Sequence, residues 1–236
     1  MKLGIIGAMA VEVETLKRQM KNVQVTSRAG MEFCDGELEG LPAVVVQCGV
    51  GKVNAALCVQ ILCDCFAVTH LINTGVAGSL CAELDIGDLV ISRDAMYHDF
   101  TCHVLNPAYC VGQVPGLSVR EFTADEQMLS VAFSVAEQIQ PGHSRIGRIA
   151  SGDQFVADKS QKAQIVADTQ AICTEMEGAA IAHAAWRNGI PFVIIRAISD
   201  KADDSAEMDY PTFEAIAAER CARVTGKLAR LLTQHA

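Results

Sequence analysis

The run PFVIIRAIS, residues 191–199, is almost unbroken in its apolar character. A strand that reads this way is covered on both faces, which requires helices above and below a sheet. The rest of the chain supplies them. KLGIIG, LPAVVVQ, THLINTG, DLVISRDA and RIGRIAS read as further strands. AVEVETLKRQM, KVNAALCVQILCDC, ADEQMLSVAFSVAEQIQ, SQKAQIVADT and EMEGAAIAHAAWRNG read as helices. Pro141-Gly142 stops the third of these, and Gly189 ends the fifth as a C-terminal glycine does. A last helix begins near Pro211, with Phe213, Ile216, Ala217, Cys221, Val224, Leu228 and Leu231 at roughly helical spacing. The 236 residues contain no linker, low-complexity segment or fixed-period repeat. The pattern predicts a single α/β domain over 1–236, with a mixed and mainly parallel sheet flanked by helices. Such sheets bind ligands in the crevice outside the carboxyl ends of their strands. Residues immediately after each strand are therefore the place to look for chemistry.

Several function classes drop out on composition. A net charge of −9 argues against a broadly basic nucleic-acid surface. No apolar run reaches the 18–20 residues of a membrane span. The start, MKLGIIGAMAVEVE, has neither a long apolar centre nor a small-residue cleavage site, so the expected location is the cytoplasm. The ten cysteines sit mostly in apolar runs such as AALCVQILCDC, where the thiol acts as a small hydrophobe, and they are expected to be reduced.

After the first strand comes Gly7-Ala8-Met9-Ala10-Val11-Glu12-Val13-Glu14, a glycine turn with carboxylates in the first turns of a helix. It is not the GxGxxG of dinucleotide binding. The carboxylates complement the helix dipole or serve a site; the sequence leaves both open. Cys48-Gly49-Val50-Gly51-Lys52 lacks the spacing of a nucleoside triphosphate loop. In Asn73-Thr74-Gly75-Val76-Ala77-Gly78-Ser79, small residues either let backbone approach a ligand or simply turn the chain. In Ser151-Gly152-Asp153-Gln154-Phe155-Val156, Phe155 is either a core ring or a flat surface for stacking a base. Glu175 and Glu177 in TEMEGAA enter an otherwise apolar helix, where they cap it or accept hydrogen bonds from a diol. Asp200 ends the most apolar strand, as a cap or as a functional group. His98, Asp99, Cys102, His103 and Cys110 match no standard zinc spacing, and His183 reads as a core residue. No metal and no cofactor is expected.

Together, GIIGAM with Glu12, CGVGK, NTGVAG, YHD, QVPG, SGDQF, EMEGAAIAH and RAISD occur in the order found in the 5′-methylthioadenosine/S-adenosylhomocysteine nucleosidases, and the chain resembles that family from residue 1 to about 233. The resemblance implies a nucleoside phosphorylase-like fold and hydrolysis of the bond between adenine and a 5′-thio-substituted ribose. It implies that Glu12 activates water and Asp200 protonates adenine N7. By the same resemblance Glu177 holds the ribose hydroxyls with Met176 packed on the sugar. Phe155 stacks on the purine and the Val156 backbone reads its edge. Met9, Val50 and Tyr210 surround the sugar and its 5′ substituent, with Val76, Ala77 and Gly78 on the wall and Ser199 orienting the site. The family is dimeric, which makes Leu105, Tyr109 and Pro115 candidates to line the partner's 5′ pocket.

Two departures stand out. Val76 replaces a serine common in the family, and FTCHVLNPAYC, residues 100–110, lacks the usual aromatic-rich run. The rivals are a phosphorolytic purine nucleoside phosphorylase and a non-catalytic nucleoside-binding relative. The first-strand loop offers carboxylates and no arginine for phosphate, which favours water.

Overall fold

A computed structural model describes residues 1–201 and 210–232, with side chains at 1–201 and 214–232. The strands are β1 (Leu3–Gly7), β2 (Lys21–Arg28), β3 (Met31–Leu38), β4 (Leu41–Gln47), β5 (His70–Ser79), β6 (Leu89–Tyr97), β7 (Phe122–Thr123), β8 (Ser144–Ser151), β9 (Cys173–Glu175) and β10 (Phe192–Asp200). The helices are α1 (Ala10–Gln19), α2 (Lys52–Phe66), α3 (Glu126–Ile139), α4 (Lys159–Thr169), α5 (Gly178–Asn188) and α6 (Tyr210–Leu232).

The strands run in the order β10-β6-β8-β9-β5-β1-β4-β3-β2, and β10 also pairs with β5. That extra pairing closes β5, β10, β6, β8 and β9 into a ring, from which β1, β4, β3 and β2 extend as an open wing. The sheet is mixed, as expected. Parallel pairing joins β4, β1, β5 and β10, and again β6, β8 and β9. The remaining pairings, including the β2–β3–β4 meander, are antiparallel, so the parallel character belongs to the centre rather than to the whole.

Side-chain alternation along β1 explains the layering. Leu3 and Ile5 face a core completed by Val13 and Leu16 of α1, Val135 of α3, and Cys221 and Val224 of α6. Ile6 faces the opposite core, built with Cys58 and Leu62 of α2 and Ile181 of α5. Helices thus cover both faces, as the apolar β10 requires. In α6 the buried stripe is Ala217, Cys221, Val224 and Leu228, whereas Ile216 is largely exposed. Phe213 lies outside the described side chains.

The structure corrects one boundary and adds strands. The helix expected from Glu175 starts at Gly178, because Cys173–Glu175 pairs with β8 and β5. The β2–β3 hairpin, turning at Ala29 and Gly30 with φ of 47° and 76°, has no counterpart in the apolar runs.

Candidate active site

The chain ends of β1, β4, β5, β8, β9 and β10 deliver residues to one cavity of about 340 Å³. From the end of β1, the chain enters α1 with Glu12 in its first turn. Glu12 is only 3% exposed. Its Oε2 accepts the N–H of Ala8 at 2.6 Å and of Met9 at 2.9 Å, and its Oε1 accepts the N–H of Val76 at 3.0 Å. It caps the helix and faces the cavity at once, so the two sequence readings describe one residue. Burial raises its pKa above the usual carboxylate range, against the opposing pull of Arg196 and of those three N–H groups. The contact from Val76 comes through the backbone N–H, which any residue except proline supplies.

Glycines in β5 make the room. A Cβ at Gly75 would overlap Glu12 Oε1, and one at Gly78 would lie 3.0 Å from Asp200 Oδ2. Val76, Ala77 and Gly78 then line the wall.

At the end of β10, an irregularity between Ile198 and Asp200 brings Asp200 opposite Gly78. Bulges of this kind re-aim side chains beside active sites. Ser199 Oγ donates to Asp200 Oδ1 at 3.2 Å, and Lys162 Nζ of α4 stands 3.3 Å from Oδ2. Lys162 is itself buried and also donates to the Lys201 carbonyl at 2.8 Å.

A third carboxylate, Glu177, precedes α5 and is 6% exposed. Its Oε1 accepts the Gly51 N–H at 2.8 Å. Burial, then the negative charge of Glu175, pushes its pKa up to about 8. Glu175 behaves in the opposite way. It accepts from Ser151 Oγ, from the N–H groups of Glu177 and Gly178, and from Arg196, with which it forms a buried ion pair. Burial alone would raise its pKa; the Arg196 charge and these hydrogen bonds outweigh it and hold the carboxyl below its ordinary range. Arg196 is 2% exposed and also donates to Asn73 Oδ1 at 2.5 Å. Beside this group, the Cys48 thiol is pushed up to about 12, first by burial and then by Glu177 and Glu12. It stays protonated and is no nucleophile.

Met9, Val50 and Met176 also line the cavity, with the exposed Phe155 at its rim and the buried Val156 beside it. Phe155 is 69% exposed, so it is a surface ring and not a core residue. Thus Met9, Glu12, Val50, Val76, Ala77, Gly78, Phe155, Val156, Met176, Glu177, Ser199 and Asp200 share one cavity. The side chain of Tyr210 lies outside the described residues. Leu105 and Pro115 are exposed and Tyr109 is half-buried, and none of the three lines this cavity in its own chain. Sequence reasoning missed the buried roles of Asn73, Lys162 and Arg196. Arg196 had a signal: an arginine inside an apolar strand demands a buried anion. His183 is a packed residue, with Nδ1 3.1 Å from the Tyr97 hydroxyl and its ring stacked on Phe122.

The phosphorylase superfamily model matches residues 2–232. A 5′-methylthioadenosine/S-adenosylhomocysteine nucleosidase of Geobacillus thermodenitrificans is 40% identical over 225 residues, covering 95% of this chain and 94% of the relative. The chain belongs to the 5′-methylthioadenosine/S-adenosylhomocysteine nucleosidases of the phosphorylase superfamily. The nucleosidase fold is shared throughout. The Neisseria meningitidis nucleosidase in complex with methylthio-immucillin-A matches with a TM-score of 0.92 and 35% identity, covering 98% of this chain and 99% of that one. The Colwellia psychrerythraea nucleosidase in complex with adenine matches at 0.91 and 35%, covering 97% and 94%.

Proposed function

We propose that the chain hydrolyses the N-glycosidic bond of 5′-methylthioadenosine and S-adenosylhomocysteine, releasing adenine and the 5′-thio-substituted ribose. The observation that carries this reading is the convergence of Glu12, Glu177 and Asp200 on one cavity. Cleavage builds positive charge on the ribose and negative charge on the leaving base. Asp200, at the rim with Phe155, protonates adenine N7 as it leaves. Glu12, on the floor, takes a proton from water as it attacks the anomeric carbon. This is the two-carboxylate arrangement of inverting glycosidases with a purine as leaving group. Glu177 binds the ribose hydroxyls, Met176 packs on the sugar, and Phe155 stacks on the purine while Val156 reads its edge.

Phosphorolysis is disfavoured by charge. Among the described residues lining the cavity there is no lysine or arginine, whereas Glu12, Glu175, Glu177, Asp200 and Glu214 all reach it. A phosphate dianion would be repelled. Among the described residues no group of three or more histidine, cysteine, aspartate or glutamate side chains could hold a metal ion.

A homodimer fits the apolar side chains left in water. Val50, Val53 and Leu57 form an exposed stripe along the start of α2, and Val104 and Leu105 are exposed on the segment after β6. In a dimer, Leu105, Tyr109 and Pro115 would close the partner's 5′ pocket and set preference among 5′ groups. Ten free cysteines fit a reducing, cytoplasmic setting, and no described helix is long and apolar enough to cross a membrane.

The deciding experiment measures adenine release from both nucleosides with and without phosphate. Phosphate-independent release with free 5′-thioribose as product is expected. Ribose 1-phosphate as product, or no turnover of either nucleoside, defeats the reading.

A further inference from the structure

Phe155 is largely exposed, whereas the next residue, Val156, is packed with Leu80, Ala150 and Ile165; the chain just before the ring has an anchor of its own. The fixing point lies outside the cavity, at Lys52. The Lys52 N–H donates to Asp153 Oδ1 at 2.8 Å. Lys52 Nζ lies 2.6 Å from Asp99 Oδ2 and 3.6 Å from Asp153 Oδ2. Asp99 Oδ2 in turn accepts the Asp153 N–H at 2.9 Å. One cation and one carboxylate therefore grip both the backbone and the side chain of Asp153, two residues before Phe155. The ammonium also sits 5.5 Å from the centroid of the Tyr97 ring, which walls off one side.

The neighbouring peptide ties this cluster to the other half of the site. Gly51 donates its N–H to Glu177 and Lys52 donates its N–H to Asp153, so successive amides serve the sugar side and the base side. The turn that permits this has Gly51 at φ 97°, where a Cβ would also lie 3.1 Å from Asp153 Oδ1. From behind, the Gly152 N–H donates to the Glu175 carbonyl at 3.1 Å. The base loop is thus referenced to the same frame as the ribose carboxylate.

We propose that Lys52, acting through Asp99 and Asp153, is a positioning residue that fixes the base-stacking loop relative to Glu177. It touches no substrate; this inference rests on the reading of Phe155 and Val156 as the adenine-binding rim. Small misplacements of a bound group are expensive in catalysis.

The test uses K52M, K52R, D153A and F155A in the full chain, with adenine affinity measured by calorimetry and KM and kcat by adenine release, all well below each variant's Tm. K52M and D153A are expected to weaken adenine binding and raise KM by about 10–100-fold, with K52R recovering most of the loss. Asp153 is half-exposed, so D153A decides the matter if K52M does not fold. Parental adenine affinity and KM in D153A and in any folded K52M overturn the proposal, even if Tm falls, as does a K52R no better than K52M. F155A separates the two readings. Parental adenine affinity in F155A strikes the stacking role, whereas weakened binding there with parental binding in K52M and D153A strikes the positioning role alone.

Discussion

The floor and the rim of the cavity are built on opposite plans. On the floor, Glu12 and Glu175 are each held by several donors: three N–H groups on Glu12, and a buried arginine, a serine and two N–H groups on Glu175. At the rim, Phe155 stands largely in water and Asp200 is steadied by one hydroxyl and one ammonium. Floor groups must be in place before substrate arrives, because electrostatic stabilisation works without reorganisation only when it is prearranged. Rim groups need to admit and release a flat base. Breaking the floor should therefore cost fold and chemistry together, while breaking the rim should cost binding or chemistry with the fold intact.

The strongest way to test that contrast is R196M. It leaves Glu175 buried without its cation, which costs about 3–5 kcal/mol of stability when one member of a buried pair is removed. Thermal unfolding should move far down and activity should vanish; an R196M protein with parental Tm and turnover would end the claim that the floor is one electrostatic unit. Next come E12Q and D200N. Each is expected to lower kcat by about 10²–10⁴, the usual scale for losing acid–base help. Because Glu12 must be ionised to accept a proton, kcat should also fall on the acid side at a pH above the ordinary carboxylate range. D200N should leave Tm near that of the parent, and a large drop there would blur the distinction between rim and floor.

F155A sharpens the comparison from the binding side. Stacking of one base contributes about 1–3 kcal/mol, so adenine affinity should weaken by about 10–100-fold without a fall in Tm. The smallest expected effect is a pH dependence of stability. Glu177 has a folded pKa of about 8, above its ordinary value, so the folded protein holds a proton that the unfolded chain releases. Its contribution is full below the ordinary glutamate pKa and is lost as pH rises towards 8. Parental Tm should decline by several degrees over that window, and E177Q should flatten the decline. Equal slopes in the two proteins would show that Glu177 is not the titrating group.

What the sequence made legible divides along the same line. Strands of the centre announced themselves because burial on both faces leaves only apolar letters, and the sheet rule pointed to the residues after them without deciding between helix caps and site carboxylates. The β2–β3 hairpin did not, because KNVQVTSR lies on the exposed edge and has little apolar contrast to display. The start of α5 was misplaced because Glu175 works in three dimensions: its partners Ser151 and Arg196 come from β8 and β10. Lys162 was hidden for the same reason, lying in a polar helix with nothing local to mark the Asp200 it meets. The family motifs located Glu12, Glu177 and Asp200, but the donors that set their charge states come from distant segments.

Gly75 and Gly78 give the site an unusual place in the genetic code. Glycine is written by four codons that differ only in the third base. Any single-base change that alters the residue installs a side chain with a Cβ, or a stop. At Gly75 that Cβ would overlap Glu12, and at Gly78 it would press on Asp200. No one-step change of residue is therefore without a steric consequence at either position, whereas at Val76, whose contribution is a backbone N–H, many are open. Sequence drift in this strand is steered by geometry: it can change Val76 and leave the two carboxylates where they stand.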